Sequence, residues 1–197
     1  MRRLRRRPLE GPRRTQVCDE APGVRDAREH VGRGRGEQNR SLIEAAGEAD
    51  RDDLVELMVA FRDHLGQSQP SAATFRHGVD LLGEDPATEF LVARAASGRA
   101  LGYSQVRYRY SAWIPGVGAE IEDLFVLPEA RRQGVGLALL ETVIGRARQR
   151  SCFVLGLTTN ERNQEALSLY RRLGFAAERA RWKGSRQLWL EKRIEPA

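Results

Sequence analysis

Asp123-Leu124-Phe125-Val126-Leu127-Pro128-Glu129-Ala130-Arg131-Arg132-Gln133-Gly134-Val135-Gly136-Leu137 sets the reading of this chain. An apolar run of strand type meets a proline and then an Arg-x-x-Gly-x-Gly turn. After it, Leu137-Ala-Leu-Leu-Glu-Thr-Val-Ile continues with helical periodicity. The pattern predicts a strand feeding a helix through a loop whose backbone can approach a ligand closely. Glycine there carries no Cβ, and the first-turn N–H groups of a helix have no intrahelical partner. Unpaired donors at the positive end of the helix dipole attract an anion, typically phosphate, and Arg131 and Arg132 add charge beside it. A Gly-x-Gly turn by itself can equally serve only to tighten a strand-to-helix connection. Two other phosphate loops are excluded. A dinucleotide loop needs a third glycine where Leu139 stands, and a Walker loop needs Gly-Lys-Ser/Thr.

A second constellation follows at Asn160-Glu-Arg-Asn163-Gln-Glu-Ala166-Leu-Ser-Leu-Tyr170-Arg-Arg-Leu-Gly174-Phe175. Ala166, Leu167, Leu169, Tyr170 and Leu173 mark an amphipathic helix, with Asn160 as its expected N-cap. Gly174 is the expected left-handed stop and Phe175 its apolar follow-up. Asn163 and Tyr170 are seven apart and share a helix face. In an isolated helix Tyr170 would read as a core aromatic with its hydroxyl at the rim.

Together the two segments resemble the GNAT family of N-acetyltransferases. The likeness rests on Val126-x-Pro128-Glu129-x-Arg131-x-x-Gly134-x-Gly136-x-x-Leu139-Leu140 and on Asn163-x-x-Ala166-x-x-Leu169-Tyr170-x-x-Leu173-Gly174-Phe175, at the separation the family shows. It extends over roughly Ser41 to Ile194, with its strong motifs between Glu120 and Phe175. It implies an α/β fold: a twisted mixed sheet of about six to seven strands flanked by helices. Two neighbouring parallel strands would splay apart to hold acetyl-CoA. By the same resemblance Tyr170 protonates the departing sulfur and Asn163 contacts the pantetheine or its adjacent phosphate region. Backbone groups of Leu124, Phe125 and Val126 would pair with the pantetheine amides like an added strand. Arg132, Gln133, Gly134, Val135, Gly136 and Leu137 would wrap the pyrophosphate, with Arg131 opening the loop. A strand bulge that the family uses to expose such groups has no signature in this sequence.

Acetyl transfer to an amine needs a deprotonated nitrogen, a stabilised oxyanion and a proton for the thiolate. The central strand offers Glu120, Glu122 and Asp123, and acids in a buried strand need a reason. Glu122-Asp123-x-Phe125-Val126 is similar to the corresponding strand of polyamine (spermidine/spermine, diamine) acetyltransferases. By that likeness Glu122 is the general base, with Glu120 on the same face as the fallback. The competing reading is that one of these acids pairs with Arg107 or Arg109. In the family the acceptor enters between the first two helices and the last hairpin. Phe61, His64, Phe75, Tyr108, Tyr110, Trp113 and Trp182 are therefore candidate lining, an aromatic set suited to a cationic amine.

Composition fits one domain plus an appendage. Residues 1–40 hold 12 Arg and 6 acidic residues, whereas 41–197 are balanced at 21 of each sign, so the net +6 belongs to the first segment. That segment, almost without apolar residues, is expected to be disordered, and 41–197 to be the catalytic domain. An Arg-rich arm could bind nucleic acid non-specifically. The plainer reading is arginine bias, since the chain has 31 Arg and 2 Lys, with a start of no functional weight. Neither a signal-peptide core nor a stretch of about 18 apolar residues is present. Cys18 and Cys152 show no metal or redox spacing, His30, His64 and His77 stand isolated, and no metal is expected. A reducing cytoplasmic location is expected.

The layout is read as a strand at Ser41–Ala46, helices at Ala49–Gly66 and Ala72–Gly83, and a hairpin of Glu89–Ala95 with Leu101–Tyr110. Ala119–Leu127 is the central strand, followed by helix Val135–Gln149, strand Cys152–Thr159 and the Tyr170 helix. A hairpin of Ala176–Arg181 with Arg186–Lys192 closes the chain. The strand–helix–strand crossover makes the central strand and Cys152–Thr159 parallel, with a ligand at their carboxyl ends. The expected activity is transfer of an acetyl group from acetyl-CoA to a primary amine of a small molecule or peptide. The alternatives are a nucleic-acid-binding protein and a regulatory, inactive CoA-binding relative. Many family members form homodimers, and no residue here specifies an interface.

Overall fold

The computed structural model describes residues 42–112 and 116–176, together with the backbone of 181–182 and 185–186. Its elements are β1 (Leu42–Ala45), α1 (Arg51–His64), α2 (Ala72–Gly83), β2 (Thr88–Arg94), β3 (Ala100–Ser111) and β4 (Gly116–Val126). Then come α3 (Val135–Gln149), β5 (Cys152–Leu157), α4 (Gln164–Arg172), β6 (Arg181–Trp182) and β7 (Ser185–Arg186). The expected Arg-rich segment 1–40, Trp113 and most of the closing hairpin lie outside the described residues.

The central sheet has five strands in the order β1-β2-β3-β4-β5, and β6 and β7 form a separate two-stranded ladder. Among the described residues the strands thus fall into these two ladders, and the mixed α/β architecture is as read. Three neighbouring pairs are antiparallel and β4–β5 is parallel, as the α3 crossover requires.

Both faces of the sheet are covered by helices. On one face α1 and α2 bury Leu54, Leu57, Met58 and Val79 against Phe90, Val92, Tyr103 and Phe125. On the other, α3 buries Val135, Leu139, Leu140 and Val143 against Leu91, Ala93, Val106, Ala119 and Ile121. Adjacent strand residues go to opposite layers, as the period of two demands.

The irregularity that matters for the site lies in β4. Gln105 pairs with Asp123 but Val106 pairs with Ile121, so Glu122 is an extra residue on the β4 side. Ala119 and Ile121 face α3, whereas Phe125 faces α1. The bulge thus inverts which β4 residues meet which layer. Next to it the two parallel strands part. Pairing with β5 runs from Val117↔Cys152 to Ile121↔Leu157 and stops there, while β4 continues to Val126.

The opposite end of that strand pair is fastened. Tyr108 donates to Glu89 at 2.8 Å, Arg146 lies 3.4 Å from the same carboxylate, and the Arg150 guanidinium sits 4.1 Å from the Tyr108 ring centroid.

β3 approaches the region of the bulge very closely at Gly102. A Cβ there would lie 2.5 Å from the Phe125 carbonyl oxygen and 3.1 Å from the Val126 Cα. Neither atom can move without shifting β4. Gly102→Ala is expected to cost about 1–3 kcal/mol through this overpacking, read as a fall in thermal midpoint. An unchanged midpoint would show that β4 yields freely there.

Candidate active site

α3 begins at Gly134, which is left-handed at φ 86°. Arg132, two residues earlier, is also left-handed at φ 61°, a conformation a non-glycine residue adopts at some cost. The first helical bond is Ala138 N–H to the Gly134 carbonyl, at 2.9 Å. The N–H groups of Val135, Gly136 and Leu137 thus precede the ladder at the positive end of the dipole. No acidic residue occupies that first turn. Gln133 donates to the Glu129 carbonyl at 2.8 Å and shapes the loop. The Arg132 guanidinium lies 3.5 Å from Glu165 on α4, both side chains well exposed. The position a Gly136 Cβ would take lies 3.7 Å from Val126 and 3.8 Å from Leu169, so the loop, β4 and α4 meet at this point.

Leu127 N–H donates to the Leu101 carbonyl at 2.9 Å, so Leu127 points its backbone at β3. By alternation the backbone groups of Leu124 and Val126 point the other way, into the gap that β5 has left. Those of Phe125 face β3. An edge able to pair with an extended ligand is therefore supplied by Leu124 and the Val126 N–H, and Phe125 contributes its ring on the α1 side.

Arg131 does not join Arg132 at the loop. Its Nε donates to the Val126 carbonyl at 3.0 Å, and Nη2 meets His64 Nε2 at 3.1 Å. Its guanidinium lies 5.8 Å from the centroid of Phe125, on which Phe61 stacks at 5.0 Å. The group sits on the α1 side of β4, away from α3.

The β4 carboxylates separate in role. Glu120 is paired with Arg109 at 2.7 Å, so the ion-pair reading holds for the fallback acid. Glu122 is exposed at the bulge, not buried as a regular inner strand would have it, and it makes no hydrogen bond or ion pair among the described residues. Asp123 is half-buried and accepts from the Tyr103 hydroxyl at 3.2 Å. Burial raises its carboxyl above the ordinary range, and the Tyr103 bond acts in the opposite direction.

On α4, Asn163 and not Asn160 is the N-cap: its Oδ1 accepts from Ala166 N–H at 3.3 Å. Asn160 instead accepts from Arg162 N–H at 2.9 Å and closes the preceding turn. Gly174 stops the helix at φ 86°, and Phe175 N–H closes on the Tyr170 carbonyl at 3.0 Å. Tyr170 packs toward the α3 layer, edge-on to Phe175 at 5.9 Å, and burial pushes its hydroxyl up. That hydroxyl has no hydrogen-bond partner among the described residues. Tyr170 also borders a groove of about 1040 Å³ along β5, with exposed Phe153 and Val154. Neither Glu122 nor the Gly134 loop lines it, so it is not the site built here.

The expected aromatic lining divides. Phe61, His64 and Phe75 belong to the α1 and α2 side. Tyr108 is turned to the α3 layer under Arg150 and cannot line an acceptor cleft on the α1 side. Tyr110 is exposed, and Trp113 and the Trp182 side chain lie outside the described residues. Sequence reasoning missed Tyr103 and Gly102, and no local signal marks either. The bulge at Glu122 is set by the register of β3 against β4 and not by the local sequence.

The family model described as "Acetyltransferase (GNAT) family" matches residues 52–175. The thialysine N-epsilon-acetyltransferase of Mus musculus is 30% identical over 142 residues, covering 67% of this chain and 82% of that protein. The streptothricin acetyltransferase of Streptomyces lavendulae is 37% identical over 94 residues, 48% of each chain. A crystal structure of a probable acetyltransferase superposes with a TM-score of 0.70 at 23% identity, covering 78% of this chain and 99% of that one. At that identity the superposition speaks for the fold alone.

The Asp123–Tyr103 pair carries a pH signature. A carboxyl whose pKa is higher folded than unfolded keeps its proton longer in the native state. Stability therefore falls as pH rises from the unfolded value towards the folded one. Asp123→Asn retains an acceptor for Tyr103 and removes the charge. The variant should gain thermal midpoint relative to the wild type as pH rises from about 4 to about 7. Parallel midpoint curves would contradict this account.

Proposed function

The chain belongs to the GNAT acetyltransferase family, and from that premise we propose that acetyl-CoA lies in the gap between β4 and β5 and yields its acetyl group to a primary amine of a small molecule or peptide. The reaction class is N-acetyl transfer, with direct attack by the amine. The relatives' names specify thialysine and streptothricin as acceptors, which supports an amine nucleophile here without fixing its identity.

One observation carries the cofactor reading: the free backbone edge of β4 beyond Ile121 ends at a left-handed Gly134 and an acid-free helix N-terminus. Leu124 and the Val126 N–H offer that edge to the pantetheine amides, the Val126 carbonyl being held by Arg131. Arg132, Gln133, Gly134, Val135, Gly136 and Leu137 surround the diphosphate position with N–H groups and one unburied cation. Arg131 contributes by holding the Val126 carbonyl, and Phe125 by backing the strand. Asn163 fixes the α4 start that borders the site. When bound, acetyl-CoA supplies the activated thioester.

Glu122 is assigned as general base, accepting the ammonium proton directly or through water. Its carboxylate is exposed on the α1 side, open to an incoming amine. Tyr170 is assigned as general acid. With its hydroxyl pushed up by burial it stays protonated at neutral pH and holds its proton for the sulfur. The Glu122 carboxylate and the Tyr170 hydroxyl, both without partners among the described residues, favour an enzyme over an inactive regulatory relative. A cytoplasmic location agrees with the free thiol of Cys152. No helix among the described residues is long and apolar enough to cross a membrane.

Tyr170→Phe should lower kcat by about a hundredfold or more while acetyl-CoA affinity stays close to wild type, measured by thiol release and calorimetry. An unchanged kcat removes Tyr170 from the mechanism. Gly134→Val forces a β-branched residue into the left-handed region. It should weaken acetyl-CoA binding by at least about tenfold, through a strain of about 1–2 kcal/mol placed where the diphosphate sits. Retained affinity would move the diphosphate elsewhere.

A further inference from the structure

The Arg131 cation is half-buried and has no carboxylate partner among the described residues. Its neighbours are the Val126 carbonyl, the His64 ring and the face of Phe125. The acids beside these two residues in sequence are engaged elsewhere: Asp63 by Arg62 at 2.6 Å, and Glu129 by Arg99 at 2.5 Å. A partly desolvated cation left in this state calls for an anion. The cofactor's diphosphate does not supply it. That group is assigned to Gly134 and the start of α3, whereas Arg131 lies on the α1 side of β4. A guanidinium only donates, so His64 Nε2 accepts and the ring proton sits on Nδ1, a second donor beside the cation.

Glu122 opens on the same side. Ala119 and Ile121 face α3, so Glu120 and Glu122 alternate onto the α1 side, where Asp123 and Phe125 also lie after the bulge. From Glu122 to Phe125 is three strand residues, on the order of 10 Å. Between the two ends stands the partly exposed ring of Phe61, which stacks on the buried ring of Phe125. The surface therefore reads, in order, as a free carboxylate, an apolar wall and a cation with a neighbouring donor.

We propose that the acceptor is an ω-amino carboxylate: a primary amine carried several methylenes from a carboxylate. The amine end meets Glu122, the chain lies on Phe61, and the carboxylate is held by Arg131 and His64. An α-amine is too close to its own carboxylate to reach both ends. A polyamine would set its distal ammonium against Arg131, so this site selects against the diamines to which the β4 motif is similar. The proposal rests on the acetyl-transfer reading with Glu122 as base.

Three amines of equal length test it in a thiol-release assay on the full chain: 6-aminohexanoate, hexylamine and 1,6-diaminohexane. The expected kcat/KM is about tenfold higher for 6-aminohexanoate than for hexylamine, the size of one charge-assisted contact, with 1,6-diaminohexane lowest. His64→Leu, which leaves the Arg131 bond to Val126 in place, should shrink the ratio of the first two substrates several-fold. Arg131→Met should abolish it. A diamine equal to or better than 6-aminohexanoate overturns the proposal, and so does a ratio unmoved by His64→Leu. Failure of all three amines while acetyl-CoA still raises the thermal midpoint also overturns it. Failure of both turnover and the acetyl-CoA shift instead overturns the acetyl-transfer reading beneath it.

Discussion

Backbone N–H and C=O groups in a sheet interior must be paired, and in β4 they lose their partner strand beyond Ile121. The site is organised around that loss. β5 departs, β4 runs on for several residues, and the groups of Leu124 and the Val126 N–H are left without a partner strand on that side, while Arg131 takes the Val126 carbonyl. The same strand then delivers the chain to Gly134, where a second set of unpaired donors begins α3. An extended ligand with amides along its length and phosphate at one end satisfies both sets at once. An ordinary added strand would satisfy only the first.

The bulge at Glu122 gives the two faces of β4 separate tasks. Before it, odd-numbered residues meet the α3 layer, and after it even-numbered ones do. Without the inversion Phe125 would point at α3 and Leu124 at α1. Arg131 would then have no aromatic face to lie on. Gly102 permits this geometry from the neighbouring strand, since any side chain there would push on the Phe125 carbonyl. The unpaired edge at Leu124, the direction of Phe125 and the exposed position of Glu122 therefore share one local irregularity.

Where the cause lies within a short stretch, the sequence proved a good guide. The spans read for α2 and α3 match the observed ones, Gly174 ends α4 in the left-handed form, and the α3 crossover makes β4 and β5 parallel. What escaped reading depends on pairing between distant residues. The bulge is fixed by β3 against β4, and nothing in Glu122-Asp123 alone states which residue is extra. Asn160 and Asn163 both satisfy the chemistry of a cap, and where the chain leaves β5 decides between them. Glu120 and Arg109 meet only because β3 and β4 are in this register. Tyr108 and Tyr110 share one strand, yet Tyr108 is drawn under α3 by Glu89 and Arg150 while Tyr110 stays in solvent. The direction of Arg131 was hidden for the same reason, since its partners come from α1 and β4.

The knot of Glu89, Tyr108, Arg146 and Arg150 lies at the closed end of the β4–β5 pair, and its consequence is mechanical. The two strands behave as the prongs of a tuning fork clamped at the base. Strand pairing holds the prongs together near the base and ends at Ile121 and Leu157, so local opening is least expensive at the tips. A bulky cofactor can then enter and depart by a small spreading of the prongs, while the handle and the core around it stay still.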